Sequence, residues 1–133
     1  MDEIKPLYKE AVELLKQLIT IPSFSKEEDQ TADCIAQFFN KNQIPFNRVG
    51  NNIWATNLYF DAHKPSILLN SHHDTVKPNS GYQLNPFDPI VANEKLFGLG
   101  SNDAGGCLVS LLACFVYYYN KPSLGYNLII AAT

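Results

Sequence analysis

The chain has 133 residues, enough for one domain with a real hydrophobic core, and its 46% apolar content is ordinary for a globular protein. A net charge of -3, with ten Lys and Arg residues that never stand side by side, argues against a nucleic-acid partner, which needs clustered positive charge. The acidic start Met1-Asp2-Glu3 is unlike a secretory signal, and the most apolar run, residues 107–119, is too short to span a bilayer, so a cytoplasmic protein without membrane contact is expected.

Leu7, Ala11, Leu14, Leu15 and Leu18 recur at helical spacing. Pro6 suits a first helical turn, and Pro22 closes the region after Ile19. Ser25-Lys26-Glu27-Glu28 reads as a capping box opening a second helix. Its core stripe would be Ala32, Ile35, Phe38 and Phe39, fading near Asn42. The period then changes. Residues 46–49 and 53–56 read as two short strands around a Gly50-Asn51 turn. After a polar loop over residues 61–65, Ile67-Leu68-Leu69 reads as a strand buried on both faces. Three prolines and a glycine make residues 77–89 an irregular loop. Ile90-Val91 and Leu96-Phe97 fit a small hairpin. A helix over residues 105–119, apolar on nearly every side, should be buried from more than one direction. Residues 126–132 complete the pattern as a buried strand. Long helices alternating with buried strands predict an α/β fold, a three-layer αβα sandwich around a mixed, mostly parallel sheet.

Two stretches carry chemistry. Asn70-Ser71-His72-His73-Asp74-Thr75-Val76 lies where a buried strand ends, the place where open α/β sheets bind ligands. Residues two apart in extended chain point the same way, so His72 and Asp74 share a face and His73 points elsewhere. An imidazole can bind a metal through one nitrogen while the carboxylate takes the proton of the other. From this stretch alone, a plain His–Asp hydrogen bond without metal is the stronger reading. The second stretch, residues 98–106, has the wrong glycine spacing for a dinucleotide fingerprint and lacks the Lys-Ser/Thr of a Walker loop. It delivers one carboxylate, Asp103, to a helix mouth, where it binds a ligand or caps the helix.

Read together, these stretches resemble a metallopeptidase family. It includes acetylornithine deacetylase, succinyl-diaminopimelate desuccinylase, aminoacylase and the glutamate-releasing carboxypeptidases. Residues 71–78 resemble its G/S-H-x-D-x-V-x-P motif, and residues 96–106 its L-Y/F-G-x-G-x-x-D-x-K-G-G motif. Between them, Tyr82 and Asn85-Pro86-Phe87-Asp88-Pro89 resemble an aromatic residue followed by D/N-P-F-x-P. Ile21-Pro22-Ser23-Phe24-Ser25 resembles the family's I-P-S-x-S. The resemblance covers nearly the whole chain. It implies a zinc-peptidase-like catalytic domain holding two Zn2+, with Co2+ as an alternative. His72 would ligate one zinc, Asp103 would bridge both, and Asp74 would orient His72. It also implies a cis peptide bond between Asp103 and Ala104. Two positions depart from the pattern: the family's lysine after the bridging aspartate is Gly105, and its preceding arginine is Leu99. Neither residue type is a ligand, so the departures bear on charge at the substrate entrance.

The same resemblance implies that residues 1–133 are the N-terminal part of the catalytic domain, incomplete at the C-terminus. The general base, the other metal ligands and a lid or dimerisation domain would lie downstream, and that domain would build a homodimer. The chain alone is then expected to be inactive and to bind zinc weakly. The complete protein would remove the acyl group from a small N-acyl amino acid of the N-acetylornithine kind, in arginine biosynthesis. A peptidase of the same family, a non-catalytic binding module and a flavodoxin-like or Rossmann-like domain are the rival readings. Cys34, Cys107 and Cys114 read as buried reduced thiols. His63 reads as solvated, Trp54 as core, and Tyr117-Tyr118-Tyr119 as a helix end.

Overall fold

A computed structural model describes residues 4–133; the acidic start, residues 1–3, lies outside the described residues. Helix α1 (Ile4–Thr20) buries Ala11, Leu14, Leu15, Leu18 and Ile19, the expected stripe shifted toward its C-terminal half. Helix α2 (Asp29–Lys41) buries Ala32, Ile35, Phe38 and Phe39 as the spacing predicts. The capping box does not form. The helix starts later than expected: Glu28 occupies the N-cap without a side-chain cap bond, and Ser25 lies three residues before it.

Strand β1 (Asn47–Val49) turns at Gly50 onto β2 (Asn52–Thr56), and β3 (Ser66–Ser71) follows. The expected hairpin is present as β4 (Ile90–Ala92) against β5 (Lys95–Phe97). An irregular turn over Ser101–Gly105 feeds helix α3 (Gly106–Tyr118), and β6 is Asn127–Ala132. The main sheet has the order β1-β2-β6-β3. It is mixed. Among these strands only β3 and β6 run parallel, because the tight Gly50 turn returns β1 antiparallel on β2, which also meets β6 antiparallel. The parallel pair is thus confined to the edge that carries the site.

The core lies between one sheet face and the helices. Ile53, Ala55, Leu128 and Ile130 face Ile35, Phe39, Leu108, Leu112 and Phe115. Each of the Ile, Leu and Phe side chains among these contributes about 1.5–3 kcal/mol by leaving water. The described residues supply one helical layer, which explains three differences from the sequence reading. The Ile67-Leu68-Leu69 strand is not buried on both faces: Leu68 is 60% exposed, because β3 is the sheet edge and its outer face is uncovered. Helix α3 buries only Leu108, Val109, Leu112 and Phe115, so Cys107 and Cys114 face outward and only Cys34 is buried. Trp54 alternates away from buried Ile53 and Ala55 and is half-buried on the face opposite the helices. Tyr119 packs on the core, while Tyr118 is exposed.

One buried polar residue holds the polar loop in place. The Asn127 amide donates to the Asp61 carbonyl at 2.8 Å, and its Oδ1 accepts from the Asp61 N–H at 2.9 Å. This ties the approach to β3 to the start of β6, and so fixes where β3 begins.

Candidate metal centre

Strand β3 delivers its last residue, Ser71, to the Thr133 N–H, and the His73 N–H in turn donates to the Thr133 carbonyl at 3.1 Å. The end of β6 therefore runs beside His72 and His73. Alternation along the chain does what the spacing predicts. His73 turns inward and is buried, while His72 faces a cleft of about 280 Å³ lined by Asp74, Thr75, Tyr82, Ser101 and Asp103.

His72 Nδ1–H donates to Asp74 Oδ1 at 3.0 Å and also lies 3.1 Å from the Asp74 carbonyl. A neutral imidazole carrying its proton there has a lone pair on Nε2. That nitrogen sits 3.2 Å from Asp103 Oδ1. Two electron-pair donors facing each other repel unless a proton or a cation lies between them. Two ligands about 2.0–2.1 Å from one tetrahedral zinc would stand roughly 3.3 Å apart, close to the separation seen. The donor set therefore fits a divalent metal. It is only part of a site, since no group of three or more His, Cys, Asp or Glu side chains converges among the described residues. Asp103 is 89% exposed, and its Oδ2 makes no hydrogen bond among the described residues.

Glycines let the Asp103 loop approach this closely. Gly100 has φ +76, and a Cβ there would lie 2.7 Å from Thr75 Cγ2. A Cβ at Gly98 would lie 2.4 Å from Ile19 Cγ2. The loop is thereby seated between α1 and the His72 segment. The Asp103–Ala104 peptide bond is cis, as the resemblance implies. Gly105, where the family pattern has lysine, has no room for a side chain: a Cβ would lie 2.7 Å from the Gly100 carbonyl oxygen and from Leu15 Cδ1.

The electrostatics separate the two histidines. Burial is the largest single influence on His72 and lowers its pKa, but the Asp74 carbonyl, Asp103 and the Asp74 carboxylate together hold it above the ordinary value. For His73 burial wins and lowers the pKa, against the Asn51 carbonyl and Glu28. Its neutral ring donates from Nε2 to the Asn51 carbonyl at 3.0 Å and accepts at Nδ1 from Thr31 at 2.8 Å. His73 thus joins α2, the β1–β2 turn and the site segment, a structural role. In the metal-free protein, imidazole titration by NMR should place His72 above and His73 below about 6.5, and the reverse order would contradict this assignment. The stability signs follow. A lowered His73 stabilises fully above the unfolded pKa and loses this as pH falls below it; a raised His72 acts with the opposite sign.

The Ser25 hydroxyl donates to Asp74 Oδ2. It is the largest influence on Asp74, holding it below the usual carboxylate range against burial, with His72 assisting. Sequence reading placed Ser25 in a cap and missed this contact, although Ser25 stood within the I-P-S-x-S resemblance. Nothing local marked Thr31 or Asn51 as a partner of His73. His63 is exposed, as expected.

No protein-family model matches the chain. It is 29% identical over 125 residues to a succinyl-diaminopimelate desuccinylase of Blochmanniella floridana, covering 86% of this chain and 33% of that protein. It is 35% identical over 113 residues to a LysW-lysine/LysW-ornithine hydrolase of Saccharolobus islandicus, covering 84% of this chain and 29% of that protein. An M20 family metallo-carboxypeptidase of Sulfolobus solfataricus superimposes with a TM-score of 0.74 at 22% identity, over 92% of this chain and 30% of that one. The fold is that of the M20 metallopeptidases. The chain spans about a third of the length of these relatives. By sequence the chain is related to a desuccinylase and to a LysW-lysine/LysW-ornithine hydrolase, and none of its described helices is long and apolar enough to cross a membrane.

Proposed function

We propose that the chain is the first part of the catalytic domain of a cytoplasmic, metal-dependent amide hydrolase that removes the acyl group from a small N-acyl amino acid. The observation that carries this reading is the approach of His72 Nε2 to Asp103 Oδ1, with Nδ1 already committed to Asp74. In this reading His72 and Asp103 are metal ligands and Asp74 orients His72. The free Oδ2 of Asp103, open to solvent, supports a bridge to a second cation. Zinc suits the imidazole and carboxylate donors, and cobalt would serve in its place. When bound, such ions polarise the amide carbonyl and lower the pKa of a water.

The chain's own part in the chemistry is to hold and orient. Asp74 keeps the His72 proton on Nδ1, so Nε2 faces the cleft as a lone pair. Asp103 offers negative charge on its exposed side, where a cation and then a substrate carbonyl can approach. Thr133 pairs with Ser71 and His73, so a continuation of β6 would leave the sheet beside His72. We assign the general base and the remaining ligands to that continuation, and a homodimer to a further domain. On this reading residues 1–133 by themselves do not hydrolyse amides.

For the substrate, N-acetylornithine-like molecules and arginine biosynthesis remain our first assignment. The desuccinylase relative makes N-succinyl-diaminopimelate, and with it lysine biosynthesis, the alternative to be tested beside it. A panel of N-acetylornithine, N-succinyl-diaminopimelate and unmodified dipeptides, offered to the full-length protein with zinc, tests the reading. Turnover of an acyl-amino acid without dipeptide turnover is expected. Dipeptide cleavage alone would make the protein a peptidase. Zinc binding at this cleft with no turnover of any amide would make it a binding module.

A further inference from the structure

The loop between α1 and α2 does more than join helices. The Thr75 N–H donates to the Ser23 carbonyl at 2.6 Å, and Phe24 and Thr75 form a parallel bridge. Residues 23–25 therefore run alongside residues 74–75 in fixed register. Ser23 is buried, and the Phe24 ring packs edge-on against Phe87 at 6.4 Å with the Lys77 ammonium 5.8 Å from its centroid. This anchorage brings the Ser25 hydroxyl onto Asp74 Oδ2, 49 residues away in sequence. The hydroxyl's one proton is spent there, three residues before the Glu28 N-cap of α2.

Building on the metal-centre reading, we propose that Ser25 is a positioning residue that locks the Asp74 carboxylate so that His72 presents Nε2 to the cation. A carboxylate held at one oxygen can rotate about its Cβ–Cγ bond. Held at both, by Ser25 on Oδ2 and His72 on Oδ1, it keeps one orientation. The imidazole then has a fixed acceptor for its Nδ1 proton. Without Ser25 the carboxylate turns toward water, and the proton redistributes between the two ring nitrogens. Outer partners of metal-bound histidines commonly matter by about 10–100-fold in metal affinity.

The test compares Ser25→Thr, which keeps the hydroxyl, with Ser25→Val, which has nearly the same shape without it, both in the full-length protein. Ser25 is exposed, so the added methyl groups meet solvent. Nitrogen NMR of the metal-free protein, above the imidazole titration, reads the His72 tautomer, and zinc titration reads affinity. The wild type and Ser25→Thr should show a single Nδ1–H tautomer. Ser25→Val should show a mixture and a zinc affinity lower by about 10–100-fold, with His73 signals unchanged. A single His72 tautomer in Ser25→Val, or the same mixture in both variants, would overturn the proposal. If the wild type holds one tautomer and binds no zinc, the metal-centre reading fails while the Ser25 comparison still decides this one.

Discussion

On the proposed hydrolase reading, Asp103→Asn in the full-length protein should abolish hydrolysis of the acyl-amino acid while leaving the fold intact. The change preserves shape and removes the negative charge. The amide then has a single weak acceptor oxygen, and its NH2 group can donate to the His72 Nε2 lone pair that the cation needs. In the two-metal reading the bridge is also lost. The effect should exceed the roughly 100-fold upper range typical of outer-shell partners, both in metal affinity and in kcat/KM. Asp103 is 89% exposed, so its loss costs little stability, and circular dichroism and Tm should match the wild type. A fully active, metal-replete Asp103→Asn protein would remove Asp103 from the centre.

The second large effect concerns stability. Phe115 is fully buried on α3, with its ring edge-on to Phe39 at 6.5 Å and 5.9 Å from Tyr119. Phe115→Ala leaves a cavity where α2, α3 and the sheet meet, and should cost about 3–5 kcal/mol. Domains commonly have only about 5–15 kcal/mol in hand, so the urea midpoint should fall sharply. Cys114→Ser, one position earlier on the outward face, should change the unfolding free energy by less than about 0.5 kcal/mol. Equal effects at the two positions would contradict the one-faced burial of α3.

That contrast also shows where the sequence was readable. The apolar spacing of α1 and α2 encodes burial directly, because a one-sided stripe has one place to go. Helix α3 is apolar all round, so its sequence does not say which side meets the sheet. The burial of Ile67-Leu68-Leu69 failed for a related reason. An apolar run shows that a strand can be covered on both faces, and the described residues provide cover for one. The direction of strand pairing is likewise a property of the tertiary arrangement, beyond the Gly50 turn that sets β1 against β2.

The site was legible where its chemistry is local. His72 and Asp74 share a face through the two-residue period, and Asp103 stands among glycines that permit close approach. Their convergence across 31 residues was expected only from the family resemblance, and the fold brings the atoms together. Ser25 and Thr31 were not legible as partners of Asp74 and His73. Their bonds span 49 and 42 residues, and Ser25 offered a competing local use as a helix cap.

Anomalous X-ray scattering at the zinc edge, from crystals of the full-length protein grown with zinc, tests the shared cation most directly. The account predicts a peak about 2.0–2.2 Å from both His72 Nε2 and Asp103 Oδ1. Zinc bound by other side chains, with those two atoms still bare and facing each other, would contradict it.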